Sequence, residues 1–254
     1  MAQNSQILSL SGVTKSFGGV VAVRDVSMDV AHGERRLIIG TNGAGKSTLF
    51  NLICGDIPLT SGTVRLFERD VTHLDLRRRA LMGMRRTYQA TALFNKLTVR
   101  QNFYLALLGE RSTRHHFNLF TNYKNSGSYN EKIEQTAALV DIQEKLDEVI
   151  DNISHGERRQ LELGLALISQ PKLLLLDEPS SGLSASERQK IQAILQNLDP
   201  QITLLLVEHN MELAFAVATD VTVMQNGEIV CEGSPQAIRG DEYVQKIYLG
   251  GGRA

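Results

Sequence analysis

The stretch RRLIIGTNGAGKSTLFNLICG, Arg35 to Gly55, decides the fold. Its first residues form a short apolar run with the composition of a buried strand. Its last show helical spacing, with Leu49, Leu52 and Ile53 on one face. Between them GTNGAGKST, Gly40 to Thr48, satisfies G-x-x-x-x-G-K-[ST] in the strand-to-helix setting that a phosphate-binding loop requires. A chance match in a chain of this length is of order one in a hundred. Glycines at 43 and 45 let backbone N–H groups converge on phosphate oxygens, and the following helix turns its positive N-terminal end toward them. Gly40, Thr41, Asn42, Gly43, Ala44, Gly45, Lys46, Ser47 and Thr48 are therefore expected to bind a nucleotide. Lys46 would bridge its β- and γ-phosphates, and the Ser47 hydroxyl would ligate Mg²⁺.

Outward from this loop, Ile7 to Gly40 holds short runs rich in Val and Ile, with turn signals at Gly18-Gly19 and His32-Gly33. These read as several strands. LTSGTVRLF returns to strand after the helix. KLLLLDEP and ITLLLVEH are continuous apolar runs flanked by helical segments, the pattern of parallel strands buried on both faces. VTVMQNGEIVCEG carries Asn226-Gly227 between two apolar runs, which predicts a type I′ hairpin. Helical periodicity runs over about 98–108, 131–140 and 157–168, with a polar stretch from 110 to 130, and reads as an inserted helical lobe over about 90–169. The core lobe is then about 1–89 and 170–254 of one domain.

The composition is that of an ordinary globular protein, with 42% hydrophobic and 22% charged residues. Lys and Arg number 27 against 28 Asp and Glu, so no global basic field draws the chain to nucleic acid. Arg77, Arg78, Arg79, Arg85 and Arg86 cluster locally, but interleaved Leu and Met predict a solvated helix face. His115-His116 stand in a polar stretch without a third ligand. Cys54 and Cys231 have no metal-ligand spacing and are expected to be reduced thiols. The N-terminus lacks the basic and apolar regions of a secretory signal, and no apolar run approaches the roughly 20 residues of a spanning helix. A membrane connection would have to come through a partner.

Asp177 and Glu178 end the run LLLLDEP, where ligands gather outside the carboxyl ends of parallel strands. One carboxylate is suited to hold Mg²⁺ through water. The other can take a proton from an attacking water, a contribution of about 10²- to 10⁴-fold.

In this order the motifs resemble those of the nucleotide-binding subunits of ABC transporters, over nearly the whole chain. ISHGERRQLELG resembles the ABC signature, Gln89 in RTYQ the Q-loop, His209 in VEHNM the switch histidine, and SSGLS at Ser180 to Ser184 the D-loop. The signature discriminates, because P-loops and acidic strand ends occur in many NTPases. The resemblance implies an α/β fold: a P-loop NTPase of ABC-cassette type with a mostly parallel core sheet, an N-terminal antiparallel β subdomain and an inserted α-helical lobe. It implies ATP and Mg²⁺ as cofactors and assigns Glu178, His209 and Gln89 to catalysis. Ser47, Gln89 and Asp177 go to the metal, and Phe17 in KSFGG to stacking on adenine. Ser154, Gly156 and Glu157 would hold the γ-phosphate of ATP on an opposing subunit through hydroxyl, backbone N–H and helix dipole. Where the family usually has two glycines after the signature Ser, this chain has His155, which would be strained if that position required positive φ. Thr41 stands where many relatives carry Pro.

The implied working unit is a head-to-tail dimer with a second cassette, identical or paralogous, attached to transmembrane permease subunits at the cytoplasmic face of the membrane. No nucleic acid is expected as partner. RTYQ, the long stretch before the signature, EHNM and the IYLG ending resemble the ATPases of branched-chain amino-acid importers and related amide and urea importers. An extracytoplasmic solute-binding protein would complete such a complex. The ATPase of lipopolysaccharide-type exporters is the alternative. A soluble ABC ATPase acting on DNA or ribosomes would call for two cassettes or a long coiled-coil insertion.

Overall fold

The computed structural model describes residues 6–87, 93–110 and 127–249. Two compact units divide the chain. One holds everything up to Arg86, Lys172–Glu178 and the chain from Asp199 onward; the other holds Thr87–Pro171 and Pro179–Leu198.

The first unit contains two sheets. β1 (Gln6–Phe17), β2 (Val20–Ala31), β4 (Ser61–Leu66) and β5 (Arg69–Asp70) form an antiparallel sheet in the order β2-β1-β4-β5. The second sheet runs β10-β9-β3-β8-β7-β6, from β3 (Arg35–Gly40), β6 (Met84–Arg86), β7 (Leu173–Asp177), β8 (Thr203–Val207), β9 (Asp220–Gln225) and β10 (Glu228–Gly233). Its pairings are parallel from β9 through to β6, and only β10 runs antiparallel. Every residue of β7 and β8 is buried, as a strand covered on both faces must be. Leu8, Val64, Phe50, Ile38, Leu175 and Leu205 belong to one core that spans both sheets and α1 (Lys46–Cys54). The predicted hairpin turn is present, with Asn226 at φ 51° and Gly227 at φ 84°, both positive as type I′ demands.

The register of the parallel sheet determines where chemistry can gather. Ile38 pairs with Val207 and Val207 with Asp177, so β8 and β7 end level with one another and β3 runs two residues further, to Gly40. The loops that follow all leave from that edge.

The five arginines do not form one solvated face. Arg77 and Arg78 are exposed on α2 (Leu76–Leu81), whereas Arg79 is 1% exposed and Arg85 and Arg86 lie on β6. Arg79 donates to the carbonyls of Leu52 (2.8 Å), Ile53 (2.7 Å), Leu74 (2.9 Å) and Thr72 (3.2 Å). Its guanidinium fork thereby satisfies carbonyls at the end of α1 that a helix cannot satisfy itself.

In the second unit, α3 (Val99–Glu110), α4 (Gly127–Leu139) and α5 (His155–Leu167) pack against one another. Single turns of 3₁₀ helix at Gln143–Lys145 and Ile150–Asn152, which periodicity does not reveal, lead into α5. Gly164 lets α5 approach α3 closely, since a Cβ there would stand 2.8 Å from the Phe103 ring. Gln160 is buried and donates to the carbonyls of Val140 (2.8 Å) and Asp141 (3.0 Å). α6 (Ala185–Gln196) follows the segment Ser180 to Ser184, with Ser184 as its N-cap. His115 and His116 lie outside the described residues.

Candidate functional site

β3 ends at buried Gly40, and α1 begins at Lys46. The chain between them has left-handed glycines at 43 (φ 80°) and 45 (φ 100°), and Gly45 caps α1 without any side-chain hydrogen bond. The first N–H groups of the helix are left to the loop's concave side, as an anion site requires. A Cβ on Gly43 would meet nothing within 4 Å, so the loop is open at that residue. The opposite side is closed: Gly227 N–H donates to the Ala44 carbonyl at 3.0 Å, and Arg24 N–H to the Gly227 carbonyl at 2.8 Å. The I′ turn thus props the loop from beneath.

Lys46 is 8% exposed, and its ammonium donates to the carbonyls of Gly40 (2.7 Å) and Thr41 (3.1 Å). Burial lowers its basicity, and the negative charges of Glu178 and Asp177 partly offset this. Thr41, Asn42, Gly43 and Ser47 are exposed around the loop, Thr48 is partly buried and Ala44 is buried beneath it.

Asp177 is the last residue of β7 and is 4% exposed. Its Oδ2 accepts from Arg86 at 3.2 Å, while Oδ1 is buried without a hydrogen-bond partner. Burial raises its pKa above the ordinary carboxylate range, with Arg86 pulling the other way. A buried acceptor left open beside a phosphate-type loop fits the chemistry of a water-liganded divalent cation.

Glu178 follows at φ 51°, and its N–H is held by the Val207 carbonyl at 2.8 Å. His209 Nε2 lies 2.9 Å from Glu178 Oε1. The turn carrying His209 is fixed by Glu208, which is 3% exposed and whose Oε1 accepts from the N–H groups of His209 (2.9 Å) and Asn210 (3.1 Å). Phe17 closes β1 at 50% exposure, with Lys15 Nζ 5.0 Å from its ring centre, leaving an aromatic face free to stack.

The first unit therefore brings together Gly40 to Thr48, Asp177, Glu178 and His209. Gln89 lies outside the described residues. Sequence reasoning missed Arg86, which also bonds Asn51 Oδ1 (2.6 Å) and Asp56 Oδ2 (3.0 Å), and the bracing carboxylate of Glu208. Arg86 could have been found from its place three residues before Gln89. Glu208 looks in sequence like an ordinary surface acid.

Ser154, Gly156 and Glu157 belong to the second unit, at the start of α5. Ser154 is the N-cap of a complete capping box: its Oγ accepts from Glu157 N–H at 3.2 Å, and Glu157 Oε2 accepts from Ser154 N–H at 2.7 Å. Burial would raise the Glu157 pKa, but the Ser154 hydrogen bonds and Lys145 outweigh it and lower the value. His155 is the first residue of α5 and does not carry a positive φ, so the condition under which it would be strained is not met.

A family model described as ABC transporter matches residues 23–181. The chain is 31% identical over 249 residues to the high-affinity branched-chain amino acid transport ATP-binding protein LivG of Salmonella typhimurium, covering 96% of this chain and 98% of LivG. It is also 31% identical over 244 residues to the lipopolysaccharide export system ATP-binding protein LptB of Escherichia coli, covering 96% and 97%. The ADP conformation of MJ1267, an ATP-binding cassette of an ABC transporter, superposes with a TM-score of 0.82 at 27% identity, covering 96% of this chain and 99% of that one.

Proposed function

We propose, from the premise that this chain belongs to the ABC transporter family, that it is the ATP-hydrolysing subunit of an importer for branched-chain or other amino acids or related solutes. The observation that carries the solute class is the match to LivG over almost the full length of both chains.

The chain binds nucleotide and hydrolyses ATP. ATP supplies the phosphoanhydride bond to be broken, and Mg²⁺ would draw charge from its oxygens. Ser47 and the open Oδ1 of Asp177 would hold that cation, with Gln89 as a third contributor. Lys46 and the N–H groups of the loop orient and neutralise the phosphates, while Phe17 carries the base. Glu178 takes the proton of the attacking water, and His209 holds the carboxylate in line.

Ser154 with the first turn of α5 would meet the γ-phosphate bound by an opposing cassette, so a dimer of cassettes is the working unit. Among the described residues no helix is long and apolar enough to cross a membrane. Attachment to the cytoplasmic face of a membrane through permease subunits, with an extracytoplasmic solute-binding protein, follows from the importer reading.

A second reading, the ATPase of a lipid exporter, is supported by the equal identity to LptB. Co-purification with each class of membrane subunit, followed by ATPase assays in proteoliposomes, separates the two. Stimulation by an amino acid with its binding protein is expected. Association only with exporter subunits, or hydrolysis that responds to lipid alone, would overturn the import reading.

A further inference from the structure

The start of α5 is already engaged by a carboxylate from α6. Ser184 caps α6 in the way Ser154 caps α5, with Glu187 closing the box: Glu187 Oε2 accepts from Ser184 N–H at 2.8 Å and from Ser184 Oγ at 2.7 Å. One oxygen of the carboxylate is spent on its own helix. The other, Oε1, reaches across to Gly156. A Cβ on Gly156 would overlap Glu187 Oε1 and stand 2.7 Å from Cδ and 2.8 Å from Cγ. The Glu187 carboxylate thus lies directly against the Gly156 backbone in the first turn of α5.

Gly156 N–H is one of the orphan donors of the first turn of α5 and lies beside the Ser154 hydroxyl. These are the groups that the cassette reading gives to the γ-phosphate of the opposing subunit. A helix N-terminus offers about half a positive charge, which one anion satisfies and two cannot share. Glu157 already lies on Ser154 N–H from the same turn, so Glu187 adds a second negative charge to the face a phosphate must approach. Glu187 is only partly covered, and its side chain has open water to swing into.

We propose that Glu187 is a charge gate on the signature turn: in the isolated chain its carboxylate sits against Gly156, and the opposing cassette's γ-phosphate must displace it before the dimer closes. The gate rests on the cassette reading. It sets the ATP concentration at which two chains associate and leaves nucleotide binding to the chain's own phosphate loop unaffected.

The test uses the full chain carrying Glu178→Gln, so that bound ATP persists, with association followed by sedimentation across an ATP titration. In Glu187→Gln the amide oxygen can still cap Ser184 but carries no charge. Half-maximal association is expected at about fivefold lower ATP, the scale of one charge at a helix end. Glu187→Asp keeps the charge but, one methylene shorter, withdraws it from Gly156, and should move the midpoint the same way. Nucleotide affinity of the monomer and thermal stability should stay at parental values in both. An unchanged or higher midpoint in Glu187→Gln, or Glu187→Asp failing to follow it, overturns the gate while leaving the cassette reading intact. If the Glu178→Gln parent itself does not associate with ATP, the cassette reading fails and the gate falls with it.

Discussion

His209 Nε2 stands 2.9 Å from Glu178 Oε1, across the level ends of two neighbouring parallel strands. Neither side chain is placed by chance. Glu178 is pinned by its N–H to Val207 in a left-handed conformation that costs a non-glycine residue about 1–3 kcal/mol, and His209 sits on a turn tied to Glu208. Strain of this kind persists only when the surroundings over-determine it.

From this pairing, Glu178→Gln should lower kcat by about 10²- to 10⁴-fold while ATP affinity stays within about threefold. His209→Ala should lower kcat with the same indifference in binding, because it removes a positioning contact and no phosphate donor. Steady-state hydrolysis beside equilibrium binding of a fluorescent nucleotide gives both numbers. A Glu178→Gln variant keeping more than about a tenth of the parental rate would remove that residue from the proton-transfer role.

Asp177 has a pKa raised by burial, against the pull of Arg86. A group whose folded pKa is raised adds stability that is full below its unfolded value of 3.8 and is lost as pH rises through the folded value. At neutral pH the ionised carboxylate is therefore a cost to the fold in the absence of a cation. Asp177→Asn keeps an acceptor for Arg86 and removes the charge. The variant's Tm should rise at pH 7 by about 2–4 °C, the scale of ~1 kcal/mol in a chain this size. That gain should shrink toward pH 4, while Mg²⁺-dependent hydrolysis is lost. A lower Tm at pH 7 would contradict this reading.

Arg79 is buried with its guanidinium shared among four backbone carbonyls. Arg79→Met fills part of the volume but strands those acceptors, at a cost of about 3 kcal/mol or more. Thermal unfolding should fall by about 6–12 °C. Arg79→Lys should recover less than half, because an ammonium cannot reproduce the planar fork. A loss under about 2 °C in Arg79→Met would mean that water replaces the fork.

Arg79 also marks where sequence reasoning stopped. The parallel core strands, the phosphate loop and the I′ hairpin were legible because each rests on local chemistry: unbroken apolar runs, glycines at fixed offsets, and Asn-Gly between strands. Arg79 was not, since its neighbours in sequence, Arg77 and Arg78, are solvated, and only tertiary folding turns the third arginine onto the end of α1. Glu187 was hidden for the same reason, since only the folded chain sets it against Gly156. Glu208 accepts from the N–H groups of the next two residues, a local bend that leaves no periodic or compositional mark. The 3₁₀ turns at Gln143–Lys145 and Ile150–Asn152 are too short to carry a period.

The two left-handed glycines of the phosphate loop should separate binding from folding. Gly43 (φ 80°) faces open space, so Gly43→Ala pays only the left-handed penalty of about 1–2 kcal/mol, and Tm should fall by about 2–8 °C. Its new methyl group adds bulk to the exposed loop proposed to hold phosphate, and nucleotide affinity should drop at least about tenfold. Gly45 (φ 100°) is hemmed in by backbone, with a Cβ 2.5 Å from the Ala22 carbonyl oxygen and 3.3 Å from Gly227 Cα. Neither neighbour can give way without disturbing β2 or the I′ turn that props the loop. Gly45→Ala should therefore lose more than about 8 °C in Tm as well as nucleotide binding, and thermal unfolding with nucleotide titration on the two variants measures the split. If Gly45→Ala were the more stable of the two, the turn beneath the loop would not be the prop this packing makes it.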